Sequence, residues 1–250
     1  MKNIAILFVL ALAIISCSEK QNPQKESEEV TMLKEKIAKF VNAASSQEII
    51  YTRNATEAIN LVAYSWGLSN LQRGDEVILS VMEHHSNLIP WQLVAQKTGA
   101  RLKFVQLTPE EEFDFGHYQS LVNQRTKLVS VVHVSNTLGC INHVKDIIAL
   151  AHQYDAKVLI DACQSAPHMP LDVQDLDCDW MAVSGHKMCG PTGIGFLYGK
   201  LNLMRSMPPF LGGGEMIADV FLENATYADL PHKFEAGTPN IADVVAFKYA

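Results

Sequence analysis

Four polar clusters in the sequence contain residue types that do chemistry, and each follows a short, β-rich apolar run. They are Arg53 to Glu57, Met82 to Asn87, Asp161 to Gln164, and Ser184 to Gly193. In an open α/β sheet, ligands bind beyond the carboxyl ends of the strands. The positions of the clusters therefore predict one ligand site to which several strands contribute.

The first two clusters suit an anion and an aromatic ring. Thr56 is a good helix N-cap, and the free N–H groups behind it form an anion site; an ordinary cap without a ligand is the alternative. His84 can stack its imidazole on an aromatic cofactor. His84 and His85 together also suit a metal, but neighbours on an extended chain point to opposite sides, and a surface or core histidine pair is the alternative.

The other two clusters supply a carboxylate and an amine. Asp161 ends a predicted strand and can pair with a protonated ring nitrogen, or it can act only as a helix cap. Lys187 lies in a glycine-rich stretch. A lysine in a packed site has its pKa lowered by desolvation and can form a Schiff base with an aldehyde. A phosphate loop, a stacking histidine, an aspartate and a lysine, in this order, suit pyridoxal phosphate.

The elements that position these clusters alternate between strand and helix. The predicted strands are Ile49–Thr52, Glu76–Val81, Leu102–Leu107, Lys127–Val134, Lys157–Ile160, Trp180–Val183 and Ile194–Tyr198. The predicted helices are Thr31–Ala43, Thr56–Trp66, Leu88–Thr98, Tyr118–Gln124, Val144–Tyr154 and Ile241–Ala250. This alternation predicts an α/β fold, with a mostly parallel sheet covered by helices on both faces, in one domain over residues 31–250.

Composition excludes several classes of function. The chain has 250 residues and a net charge of −7, which argues against a nucleic-acid binder that neutralises phosphates. The five cysteines are scattered without a C-x-x-C pair, so neither a zinc site nor a disulfide framework is indicated. The one strongly apolar run lies at the N-terminus, and this excludes a polytopic membrane protein.

The first thirty residues form a separate, signal-like segment. Met1 to Asn3 is a short basic start, and Ile4 to Ile15 is an apolar stretch, too short for a membrane span of about 20 residues. It fits the core of a secretory signal, and Ser16-Cys17 resembles the end of a lipoprotein cleavage box. Membrane association is expected only through this signal. Ser18 to Glu29 is expected to be a polar linker, and a buried N-terminal helix is the alternative.

Several longer motifs connect the sequence to a known family. They are TRNATEAINLVAYSWG, VMEHHSNLIPWQ, HVSNTLG, VLIDACQSAPHMPLDVQ, SGHKMCGPTGIGFLYGK, MPPFLGGGEMI and FEAGTPN. From about Met32 onward the chain closely resembles the SufS/NifS-like cysteine desulfurases of the class V aminotransferase family, and above all their plastid and cyanobacterial branch. The resemblance implies a pyridoxal-phosphate-dependent transferase of fold type I, represented here by its large cofactor domain.

The resemblance also implies roles for individual residues. Lys187 would bond the cofactor's aldehyde and move a substrate proton, Asp161 would keep the pyridine nitrogen protonated, and His84 would stack on the ring. Gln164 would donate to the ring oxygen, and Asn136 would lie near the ring and the substrate. The implied phosphate contacts are Ala55, Thr56, Ser184, His186 and, in the partner subunit of a homodimer, Thr238.

Family members of this kind convert L-cysteine to alanine and a protein-bound persulfide. The sulfur then passes to an acceptor protein of the SufE type for iron–sulfur cluster assembly. The family's persulfide-forming cysteine and substrate-binding arginine lie in a C-terminal segment, with the small domain, that this sequence does not reach. None of the five cysteines matches that position, and Cys163 and Cys189 are interpreted as packing residues. We therefore expect a partial chain that is inactive by itself.

Two alternatives remain open at this point. One is another pyridoxal-phosphate enzyme of the same fold, such as a selenocysteine lyase. The other is a non-catalytic fragment that binds pyridoxal phosphate and is exported as a lipoprotein. The localisation is open too, because the family implies cytoplasm or plastid whereas the N-terminus resembles a secretory or lipoprotein signal.

Overall fold

The computed structural model describes residues 23–250. The predicted secretory and lipoprotein signal, and the beginning of the predicted linker, lie outside the described residues. Helix α1, Pro23–Phe40, corrects the rest of the linker prediction, because it includes the stretch up to Glu29. Glutamate and lysine are strong helix formers, and proline is tolerated in the first helical turn. The polar composition of this stretch therefore belongs to the beginning of a helix.

A seven-stranded sheet organises the described residues. Its strands are β1 Ile49–Thr52, β2 Glu76–Ser80, β3 Arg101–Val105, β4 Thr126–Val132, β5 Lys157–Asp161, β6 Trp180–Ser184 and β7 Gly195–Gly199. Their spatial order is β1-β7-β6-β5-β4-β2-β3. Five neighbouring strands are parallel, namely β6, β5, β4, β2 and β3, whereas β7 runs antiparallel to both β6 and β1. The predicted mostly parallel α/β sheet is confirmed.

Eight helices and a small hairpin complete the described structure. After α1 the helices are α2 Ala55–Leu61, α3 Ile89–Thr98, α4 Phe115–Leu121, α5 Val144–His152, α6 Val173–Leu176, α7 Leu201–Ser206 and α8 Ile241–Phe247. A π-helical segment, Val62–Gly67, continues α2 into a last turn at Leu68–Asn70. The hairpin consists of β8 Ile217–Val220 and β9 Ala225–Tyr227. Within residues 23–250, no helix is both long and apolar enough to cross a membrane.

Alternating side chains of the central strands build two separate cores. On β5, Val158 and Ile160 belong to the core that also holds α1 and α5. Leu159 belongs to the opposite core, against α2 and α3. Because side chains alternate along a strand, Asp161 continues on the α2 side of the sheet. Ser184, at the end of β6, follows the same rule. The pattern of buried residues thus directs both polar side chains to one face.

Most predicted boundaries agree with the structure, and one shift has a clear cause. The helix predicted over Tyr118–Gln124 instead spans Phe115–Leu121. Its N-cap is Asp114, whose carboxylate accepts a hydrogen bond of 2.8 Å from the His117 N–H. Asp is a strong N-cap, and this bond starts the helix three residues earlier than the apolar spacing indicated.

A buried carboxylate links several elements at the end of the sheet opposite to Asp161 and Ser184. Asp179 precedes β6, and its Oδ2 accepts hydrogen bonds from the Val158 N–H, at 2.8 Å, and from His152 Nε2, at 2.9 Å. Lys157 and Lys200 place their ammonium groups 3.7 Å from the other oxygen. Asp179 therefore connects the start of β5, the end of α5 and the residue after β7. Removing it leaves the Val158 N–H and the imidazole without their acceptor.

We expect Asp179→Ala to lower the free energy of unfolding by about 3 kcal/mol, since breaking a buried charged network leaves its partners unsatisfied. Asp175→Ala is the matched control. Its ion pair with Lys145 is exposed and should contribute less than about 1 kcal/mol. Urea unfolding followed by circular dichroism measures both. Equal losses for the two variants would contradict the role given to Asp179.

Candidate active site

The four polar clusters meet at the carboxyl ends of β2, β5 and β6 and the start of α2. They line a pocket of about 190 Å³. Its lining residues are Asn54, Ala55, Thr56, His84, Ser86, Asp161, Cys163, Ser184, His186 and Lys187. Seven of the ten residues that the sequence assigned to the site are among them. The three lining residues without a predicted site role are Asn54, Ser86 and Cys163.

The start of α2 forms one wall of the pocket. The N-cap is Asn54, whose side-chain oxygen accepts from the Glu57 N–H at 3.1 Å, so the prediction of Thr56 as N-cap is wrong. The Ala55 N–H donates to the hydroxyl of Ser184 at 2.9 Å. The Thr56 N–H keeps no hydrogen-bond partner among the described residues, as is usual for a first-turn N–H. Thr56 therefore offers an N–H and a hydroxyl to a ligand.

Asp161 lies at the end of β5 and is 3% exposed. Its Oδ1 accepts from the Cys163 N–H at 3.0 Å, and the Cys163 thiol is a second hydrogen-bonding partner of the carboxylate. A buried carboxylate is stable only when it is paired or hydrogen-bonded. Asp161 lines the pocket and forms no salt bridge with another described residue, so its carboxylate suits a cationic group of a ligand.

Lys187 lies on a single 3₁₀ turn, Gly185–Met188, directly after β6. The loop folds back tightly: the Gly185 N–H donates to the Ile194 carbonyl at 2.9 Å, and the Gly190 N–H donates to the Gly185 carbonyl at 3.0 Å. A Cβ at Gly190 would stand 2.5 Å from a ring carbon of Phe247, so only glycine fits. This packing holds the half-buried Lys187 amine at the pocket.

His84 has a defined ring orientation. The Ser86 N–H donates to His84 Nδ1 at 3.1 Å, and the Ser86 hydroxyl lies 2.7 Å from the same nitrogen. A backbone N–H can only donate, so Nδ1 accepts, and a neutral His84 ring carries its hydrogen on Nε2. Ser86 therefore positions His84. The sequence places Ser86 in the second cluster but does not reveal this role.

Three predicted cofactor residues do not line this pocket. Asn136 is exposed in the loop after β4, and Gln164 is half-buried in the loop after β5. Thr238 is exposed and lines a different cavity of about 490 Å³ together with Arg53 and Glu235. Backbone hydrogen bonds within the Ser135 and Cys140 turn hold Asn136 at the surface. The cofactor contacts of these three residues stay predictions.

Two cysteines near the site differ sharply. Cys163 is 5% exposed and lines the pocket, with its sulfur 3.7 Å from the hydroxyl of Ser184. Burial, and secondarily the charge of Asp161, raises the pKa of Cys163 to about 12, so its thiol stays protonated and weakly nucleophilic. Cys189 is exposed at a positive φ of 60°. The interpretation as a packing residue therefore suits Cys163 and is wrong for Cys189.

Together these groups suit a ligand that carries both an anion and a cationic ring nitrogen. The anion would meet the N–H and hydroxyl of Thr56 and the imidazole of His186, on the side of α2. The ring nitrogen would meet Asp161. The Lys187 amine provides a nucleophile or base, and the His84 ring provides a flat surface. No single cluster supplies all these functions, because they come from four separate segments of the chain.

Comparison with known proteins adds a family. Residues 15–250 match the family model described as Aminotransferase class-V. A probable cysteine desulfurase from Synechocystis sp. is 67% identical over 214 residues, 86% of this chain and 51% of that protein. A cysteine desulfurase from Haloferax volcanii is 48% identical over 217 residues, with the same two shares. The chain spans about half the length of the curated relatives it matches.

A solved structure agrees with these sequence relatives. The crystal structure of the cysteine desulfurase CsdA from Escherichia coli is similar to this chain with a TM-score of 0.88 at 41% identity. The match covers 92% of this chain and 58% of that chain. The likeness in fold therefore extends over nearly the whole of the described structure.

We expect iodoacetamide to modify Cys189 about 100-fold faster than Cys163 in the folded protein, because alkylation requires an accessible thiolate. Peptide mass spectrometry over a time course measures both rates. Cys178 is a buried control and should react as slowly as Cys163. In urea-unfolded protein all three should react at similar rates. Fast modification of Cys163 in the native state would contradict its raised pKa.

Proposed function

The chain belongs to the class-V aminotransferase family, with the NifS/SufS-like cysteine desulfurases, and we propose that its pocket binds pyridoxal phosphate for the desulfuration of L-cysteine. The observation that carries the proposal is the meeting of Asp161, Lys187 and His84 in one pocket. These three residues are far apart in the sequence, yet they line the same pocket. A lysine, a carboxylate and a phosphate cradle are what this cofactor requires of a protein.

The residues present fit the cofactor's separate parts. Its phosphate is an anion, and the Thr56 N–H and hydroxyl, at the start of α2, are donors without a partner within residues 23–250. Its pyridine nitrogen, when protonated, is a cation, and the Asp161 carboxylate has no salt-bridge partner among the described residues. Its aldehyde reacts with a lysine amine, and Lys187 lines the same pocket. Gln164 and Asn136 are proposed to contact the ring oxygen and the substrate on the strength of the resemblance alone.

The bound cofactor would supply the electron sink that weakens bonds at the α-carbon of an amino acid. The protein's residues have distinct tasks beside it. Asp161 holds a proton on the ring nitrogen, because its buried negative charge stabilises the protonated form. His84 covers one face of the ring and excludes water there. The Lys187 amine takes the proton from the substrate α-carbon and returns it to the product.

Sulfur transfer needs a nucleophilic thiolate that this pocket does not supply. Cys163 lines the pocket, but burial raises its pKa to about 12, and the thiolate is the reactive form of cysteine. We therefore propose that Cys163 packs beside the cofactor and forms no persulfide. The proposed activity includes transfer of sulfur to an acceptor protein of the SufE type, for which the family resemblance is the support.

We propose further that the protein acts as a homodimer. Val220, Phe221 and Leu222 are exposed at the tip of the hairpin formed by β8 and β9, and a second subunit would remove this apolar surface from water. Thr238 lies away from the pocket of its own subunit. The resemblance assigns its hydroxyl to the cofactor phosphate of the partner subunit, which a dimer permits.

Purified protein mixed with pyridoxal phosphate should develop the absorption band of the lysine-bound cofactor. Lys187→Ala should abolish this band, since no other lysine lines the pocket. Lys145→Ala, a change at an exposed ion pair, should leave it unchanged and serves as the control. A wild-type protein without the band, or a band that persists in Lys187→Ala, would contradict the proposal. Alanine formation, the product common to both, then compares cysteine and selenocysteine as substrates.

Leu222→Asp should weaken self-association by about 100-fold, because a charge replaces exposed apolar area within the proposed interface. Ile141→Asp is the control, a similar change at another exposed apolar residue. Sedimentation velocity over a range of protein concentrations measures the dissociation constant. Identical behaviour of both variants would exclude the hairpin from the interface, and a monomeric wild type would exclude the homodimer.

A further inference from the structure

A half-buried acid beside His84 has no part in the function proposed above. Glu83 follows β2 and directly precedes His84. Its carboxylate accepts hydrogen bonds from the hydroxyl of Ser80, from the Asn87 amide at 2.7 Å and from the Val132 N–H at 3.1 Å. The three donors come from the end of β2, from the turn after His84 and from the end of β4. The Glu83 side chain thus connects the segment around His84 to the strands β2 and β4 by hydrogen bonds.

Asn87 extends this arrangement into the core. It is fully buried, and its side-chain oxygen accepts from the indole N–H of Trp91 at 3.1 Å and from the hydroxyl of Ser130 at 2.5 Å. Because the Asn87 side-chain nitrogen donates to Glu83, both the nitrogen and the oxygen of the Asn87 side chain are hydrogen-bonded. Connected buried networks of this kind hold a local geometry rigidly. The backbone on either side of His84 is therefore held by two anchored residues, Glu83 and Asn87.

The same carboxylate lies close to the catalytic side of the sheet. Val132, one of its donors, pairs in register with Asp161 on the neighbouring strand β5. Burial, and to a lesser extent the charge of Asp161, raises the pKa of Glu83 to about 7. The other titratable groups at these strand and loop ends include His84, His85, His133, Cys140, Cys163 and Lys187. Burial lowers the pKa of His133 to about 4. The carboxyl of Glu83 thus changes charge near neutral pH beside a second carboxylate.

We propose that Glu83 is a positioning residue, which holds His84 against the bound cofactor and adds its negative charge to that of Asp161. The inference deepens the proposed function and rests on it. The hydrogen-bond network supports the first part, and the neighbourhood of Val132 and Asp161 supports the second. Ionised Glu83 makes charge-assisted hydrogen bonds to its three donors, which are stronger than neutral ones. It also favours a protonated ring nitrogen at Asp161.

Hydrogen–deuterium exchange of the cofactor-free protein tests the positioning role. In Glu83→Ala, the amides of residues 84–88 should exchange about tenfold faster than in the wild type, since three buried donors lose their acceptor. Glu76→Gln is the matched control, because Glu76 is a buried carboxylate at the other end of the same strand, bonded to Asn123 and Arg125. Unchanged exchange at 84–88 in Glu83→Ala would overturn the proposal.

The affinity for pyridoxal phosphate, measured one pH unit below and one above the pKa of about 7, tests the charge. The affinity of the wild type relative to that of Glu83→Gln should rise about tenfold from the lower to the higher pH. Glu76→Gln should bind with the affinity of the wild type at both pH values. A constant ratio between wild type and Glu83→Gln would overturn the charge effect. A wild type that binds no pyridoxal phosphate would refute the proposed function, and the exchange experiment would still decide on the positioning role.

Discussion

The buried carboxylate of Asp161 determines the chemistry of the groups around it. A charge removed from water is costly unless hydrogen bonds or opposite charges compensate it, and here its side-chain hydrogen-bond partners among the described residues are the N–H and the thiol of Cys163. Its field adds to the effect of burial in keeping the thiol of Cys163 protonated and in raising the pKa of Glu83. The negative charge at the end of β5 thus favours binding of a cation in the pocket and lowers the reactivity of Cys163.

The sheet makes this placement possible. Parallel strands end on one edge, and side-chain alternation directs Asp161 and Ser184 to the face covered by α2. The close approach of α2 depends on Gly195 in β7. A Cβ there would stand 2.5 Å from the Val183 carbonyl and 2.9 Å from the Cα of Asn54. The pocket exists because backbone segments that are distant in sequence meet with no side chain between them.

Sequence reasoning located the strands and most of the site because both depend on local signals. β4 is buried over nearly its whole length, and such continuous apolar runs are readable without a structure. Asn54 was missed as the cap, although asparagine ranks above threonine at that position. The roles of Ser86 and Glu83 depend on hydrogen bonds to particular neighbours, and Val132, the partner of Glu83, is 49 residues away. Periodicity and motif order do not encode such pairings.

We propose that Lys187 and Asp161 share one site for pyridoxal phosphate, and chemical trapping tests this directly. Borohydride reduction of the protein mixed with the cofactor makes the lysine–cofactor bond permanent, and peptide mass spectrometry then locates it. The added mass should lie on the peptide that contains Lys187, and the yield should be lower in Asp161→Asn. Trapping on a different lysine, or none at all in folded protein, would contradict the account.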